Sequence, residues 1–246
     1  IPDLSTYSFS SPNSAFSLEE AAHSRATARQ IVAHGVAMAR NSHVAYVNAT
    51  TQAAFDTLDR VGSVAAHVPT ATYPETALGE ALRAVGSAIA SGTGTQLYWV
   101  QTGGYDTHAR QETLTGNYAR LMRTLNGAVN AFYSDLSNQR LLDETLVLMF
   151  SEFGRRVSEN GSGGTDHGSG GLMFAFGGRV RGGLYGRSAA SLAQDSENPD
   201  LEYRGRDVRF EIDFRSVYAR VLDHWLGIDS PQILGADFRQ SGIDFI

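Results

Sequence analysis

The chain of 246 residues contains no cysteine, which removes thiol nucleophiles, thiolate metal sites and disulfides at once. It contains no lysine either. All 20 basic residues are arginine, so a Schiff-base lysine, a pyridoxal-phosphate anchor and a Walker-type phosphate loop are excluded. No run of about 18 apolar residues is present to cross a membrane, and no charged-then-apolar leader opens the chain. The net charge is −6 and no basic run exceeds a pair such as Arg155-Arg156. Nucleic acid therefore finds no electrostatic stripe to bind. What remains for chemistry is carboxylate, imidazole, hydroxyl and guanidinium.

What is present fits a globular α/β protein, with 42% hydrophobic, 19% charged and 10% aromatic residues. Residues 1–16 are Ser-rich with two prolines and read as an extended arm, and residues 17–246 as a single α/β domain. Ser17 and Glu20 form a capping-box pattern, and one or two Ala-rich helices should follow to about Val64. Leu78, Leu82, Val85 and Ile89 share one helical face between Pro74 and Ser91. "TQLYWVQT" (95–102), "TLVLMFSE" (145–152) and "GLMFAFGG" (171–178) read as buried strands. Leu114, Leu121, Leu125, Phe132 and Leu136 form the stripe of a long helix ending near Asn138. Phe214, Val217, Val221 and Trp225 mark a last helix, with Gly227 as its C-cap. Strand, long helix and strand predict a right-handed crossover in a parallel sheet.

Ligands of such sheets gather beyond the carboxyl ends of the strands. There the chain places Asp106 and His108 in "GGYDTH", Glu152 ending the second strand, and Asp166 and His167 in "NGSGGTDHG". Carboxylates with two imidazoles and no sulfur suit a divalent metal, and the histidines favour Zn²⁺ over Mn²⁺, Mg²⁺ or Ca²⁺. Bland readings stand beside this one. Asp-Thr-His can cap a helix, Glu152 can pair with Arg155 or Arg156, and Asp166-His167 can be a solvated turn. His23, His34, His43, His67 and His224 read as structural or surface residues. Arg155 could orient an anion or simply pair with an acid. Ser151 lacks a G-x-S-x-G elbow and an activating histidine. "NAT" (48–50) and "NGS" (160–162) match the glycan-acceptor pattern.

In their order, "GGYDTH", "TLVLMFSEFGRR", "NGSGGTDHG" and "GGRVRGGLYG" resemble the bacterial family known as domain of unknown function 1501, related to alkaline phosphatases and sulfatases. The resemblance runs from about Leu78 to the C-terminus. It implies an alkaline phosphatase-like, doubly wound, mostly parallel sheet holding one or two divalent metals. Asp106, His108 and His167 would serve the first metal, and Glu152 the second, with Asp166 a further ligand. Many relatives carry Asp-His where this chain has Glu152-Phe153. The implied activity is hydrolysis of an anionic phosphate or sulfate ester, with Arg155 orienting the anion and Thr107 the one hydroxyl near enough to be named as nucleophile. The alternatives are a non-catalytic exported binding or scaffold protein on the same fold, and a fragment without activity of its own. Residues 1–77 show no counterpart of the family's N-terminal half, and the chain opens on Ile1. The expectation is a C-terminal portion of a periplasmic or extracellular protein, with the other half supplied by the precursor or another chain.

Overall fold

A computed structural model describes residues 22–38, 41–112, 114–186, 201–202 and 207–246. The expected arm at 1–16 and the Ser17 capping box lie outside these residues. The chain divides into two compact units, one of residues 1–101 with 127–139, the other of residues 102–126 with 140–246.

The first unit is helical. The Ala-rich stretch forms two helices, α1 (Ala22–Met38) and α2 (Ser42–Ala66). Asn41 caps α2, its side chain accepting from the His43 amide. Arg29 ties the two helices together, donating to the Phe55 carbonyl and pairing with Asp59. Helix α3 (Ala77–Ala90) starts at Thr76, whose hydroxyl accepts from the Gly79 amide. Of its predicted apolar face, Leu78 is buried and Leu82, Val85 and Ile89 are half-buried, while Glu80 and Arg83 face solvent. Helix α4 (Asn117–Asn138) ends where the leucine stripe predicts, but it starts after Leu114, the first residue of that stripe, which is exposed. Its second half contributes Ala128, Ala131, Phe132 and Leu136 to the core.

Within that core sits a carboxylate. Asp135 is fully buried and accepts from the Thr70 amide (2.7 Å), the Thr70 hydroxyl (2.7 Å), Tyr73 Oη (2.9 Å) and Gln139 Nε2 (2.8 Å). Burial alone would raise its pKa, but the bonds from Thr70, then Tyr73 and Gln139, hold it below the ordinary carboxylate range. The same packing, together with the facing carboxylate, pushes Tyr73 well above the usual phenol range. Four donors from three chain positions thus pin the end of α4 to the segment before α3.

The stretch 95–102 is a correction to the sequence reading. It is not a buried strand. Among the described residues it takes part in no strand pair, and Leu97 and Trp99 are 80% and 73% exposed. Aromatic and β-branched residues favour extended backbone locally, but a strand is completed only by a partner that the local sequence does not specify.

In the second unit the strands are short and, among the described residues, all paired antiparallel. Strand β1 (Val147–Met149) lies within the predicted second strand and pairs with β4 (Phe174–Phe176), within the predicted third. The expected parallel pairing is not what joins them. Between them β2 (Gly154–Glu159) and β3 (Thr165–Gly168) form a hairpin, which places Asp166 and His167 on a strand and not in a turn. "NGSG" at its turn is the kind of Asn-Gly signal that marks hairpins. Strands β5 (Leu201–Glu202) and β6 (Asp207–Val208) form a third pair. Helix α5 (Phe214–Val221) runs into a π-helical turn, Leu222–Leu226, closed by Gly227 at φ +66°, as the C-cap expectation required. Helix α6 (Ser230–Leu234) follows.

Candidate metal centre

The "GGYDTH" segment lies in the second unit, and the β2–β3 hairpin holds it by backbone bonds. The Thr165 amide donates to the Thr107 carbonyl (3.2 Å), Arg110 to Ser162 (3.1 Å) and Gln111 to Gly163 (2.8 Å). Gly164 makes the approach possible, since a Cβ there would overlap the His108 and Ala109 backbone. Arg110 and Glu112 adopt φ of +45° and +44°. Such conformations are strained for residues with a side chain and persist only where surrounding bonds enforce them. The loop is therefore set by the hairpin, not by its own propensity.

Register then delivers the side chains. Arg155 on β2 lies opposite His167 on β3, and both reach Asp106. His167 Nε2 lies 2.8 Å from Asp106 Oδ1, His108 Nε2 at 2.9 Å and Arg155 Nη2 at 2.8 Å. The two imidazole rings sit 4.9 Å apart, and Phe153 stacks flat on His167 at 3.8 Å. One ligand atom from each of Asp106, His108 and His167 falls within 4.8 Å of the others. A tetrahedral ion with bonds of about 2.0–2.1 Å needs donors roughly 3.3 Å apart, and Asp106 Oδ1 lies within about half an ångström of that spacing from each imidazole nitrogen. All three remain about half exposed, which leaves further coordination positions open to solvent. The hydrogen bond from His167, followed by the charges of His108 and Arg155, holds the Asp106 carboxyl below its ordinary range.

The other predicted residues are placed differently. Asp166 stands behind His108, its Oδ1 3.4 Å from the Nδ1 of that ring, outside the group of three. Glu152 is exposed just after β1, accepts from Ser151 Oγ at 3.3 Å, and does not join the group. Thr107 is buried and its hydroxyl donates to Gln111 Oε1 at 2.9 Å. Besides Asp106, Arg155 donates to the carbonyls of Tyr105 (2.7 Å) and Thr165 (2.5 Å). Both residues thus hold the loop in place. Arg156 pairs with buried Asp207 at 2.9 Å. Sequence reading passed over Asp207, and it met Phe153 and Asn160 only inside motifs, without assigning either a part in the site. Of the other histidines, His224 contacts Arg220 within its own helical segment.

A family model described as "Protein of unknown function (DUF1501)" matches residues 10–235, so the likeness begins well before Leu78. No curated protein matches the chain, and no solved structure does.

Proposed function

We propose that this chain, which belongs to the DUF1501 family, is a metal-dependent hydrolase of phosphate or sulfate esters that binds a divalent cation, Zn²⁺ before Mn²⁺, Mg²⁺ or Ca²⁺. One observation carries the reading. Two imidazole nitrogens and a carboxylate oxygen, brought from a loop and a strand, converge within 4.8 Å on a face open to solvent. Catalytic sites for such cations use three protein ligands and keep a position free for substrate.

When bound, the cation would supply Lewis-acid polarisation of the ester oxygen. The chain's own residues set its place. Arg155 fixes Asp106 through Oδ1 and fixes the neighbouring backbone through Tyr105 and Thr165. Phe153 holds the plane of the His167 ring. Superfamily kinship with alkaline phosphatases and sulfatases and an exported setting belong to the same proposal. The order of the four sequence motifs supports them.

A second reading has an observation of its own: Arg155 already neutralises Asp106 at 2.8 Å, as it would in a non-catalytic exported scaffold that needs no ion. Elemental analysis of protein purified without chelator separates the two. Near-stoichiometric Zn or Mn that disappears in Asp106→Ala and His167→Ala supports the hydrolase reading and leads to a screen of phosphate and sulfate esters. A folded wild-type chain that takes up no metal supports the scaffold.

A further inference from the structure

The ring of His108 is approached from both sides. Its Nε2 faces Asp106, and its Nδ1 faces Asp166. Asp166 is itself held. Asn160 Nδ2 donates to Asp166 Oδ1 at 3.0 Å and to the His108 carbonyl at 2.9 Å. The Asn160 side-chain oxygen accepts from the amides of Ser162 (2.9 Å) and Gly164 (3.1 Å). One amide thus joins the hairpin turn, the Asp166 carboxylate and the backbone of a proposed ligand. Arg156 stands 3.8 Å from the other Asp166 oxygen and is anchored on Asp207, which also accepts from Ser169 Oγ at 3.2 Å.

We infer that Asp166 and Asn160 are positioning residues for the metal centre, Asp166 accepting the Nδ1 proton of His108 so that Nε2 is left to ligate, and Asn160 holding Asp166 there. The inference rests on the metal-binding reading above. An imidazole ligand commonly gives its second N–H to a carboxylate, which sets tautomer and ring orientation. The same geometry spends the Asn160 amide inside the fold, which counts against use of "NGS" as a glycan acceptor.

The test is a Zn²⁺ titration of the metal-free full chain against a chromophoric chelator, with the visible spectrum of the Co²⁺-loaded protein as a second readout. Asp166→Ala should weaken Zn²⁺ binding roughly 10- to 100-fold while leaving the positions of the Co²⁺ bands as in wild type, because no inner ligand is lost. Asn160→Asp keeps an acceptor for the Ser162 and Gly164 amides but turns a carboxylate towards Asp166, and should weaken binding by a similar factor. Unchanged affinity in both variants overturns the inference. So does a loss in Asp166→Ala as complete as in Asp106→Ala with altered Co²⁺ bands, which would make Asp166 a ligand. These failures leave the metal reading standing. If the wild type takes no Zn²⁺, or Asp106→Ala binds it equally well, the metal reading itself fails and the positioning role falls with it.

Discussion

Asp135 and Asp106 are both carboxylates held by several hydrogen bonds, one in each unit of the molecule, and they are built for opposite purposes. Asp135 is fully buried and meets neutral donors: an amide N–H, two hydroxyls and a carboxamide. Asp106 is half exposed and meets groups able to ligate a metal or to carry positive charge: two imidazoles and a guanidinium. A buried carboxylate with all its acceptors used has nothing left to offer a ligand. One on an open face, whose partners could equally serve an ion, is the arrangement of a site. Burial and partner type, not the number of bonds, separate scaffold from centre.

The sharpest way to break this contrast is at the buried end. Asp135→Ala leaves the Thr70 amide, the Tyr73 hydroxyl and the Gln139 amide without their acceptor, and should cost about 3 kcal/mol in urea unfolding. Metal content should be untouched in the molecules that fold. The mirror experiment is His167→Ala, for which bound metal should fall from near one equivalent to near zero while the metal-free unfolding midpoint stays close to wild type. Should His167→Ala unfold the protein as Asp135→Ala does, the contrast fails.

A smaller effect at the buried carboxylate is read by pH. Because Asp135 titrates lower in the folded than in the unfolded chain, its contribution to stability is complete above the ordinary carboxylate range. It is lost as pH falls below about 4. Tyr73→Phe removes one bond to that carboxylate and should cost about 1.5 kcal/mol at neutral pH, with part of the difference from wild type disappearing in acid. Equal differences at pH 7 and pH 3 would show that the bond does not depend on the charge. The smallest effect is expected for Glu152→Gln, since Glu152 lies outside the gathered group. Its metal content should match wild type, and a clear loss would return Glu152 to the site.

Much of the helical frame was legible because helices are local. The 3.6-residue stripes of α3 and α4, and Gly227 as a C-cap, need only neighbours in sequence. Strand existence was legible near Val147 and Phe174, but not its pairing, since an apolar run carries no information about which run it will meet. The β2–β3 hairpin was missed because "NGSGG" suggests a loop by composition, although its Asn-Gly step was available as a signal.

The site divides in the same way. Residue chemistry alone restricted the candidates to carboxylate and imidazole, and the absence of cysteine and lysine made that restriction strong. Sequence also named Asp106, His108 and His167. It could not separate them from Asp166 and Glu152, which are the same kinds of atom at similar places in the chain. That separation was made by tertiary structure. The pairing of Arg155 with His167 across the hairpin and the clamp on the 106–111 loop bring some ligand atoms within reach of one ion and leave others behind. The physical reason is range: a side chain's chemistry is decided within one residue, whereas convergence on a point depends on backbone bonds between segments some fifty residues apart.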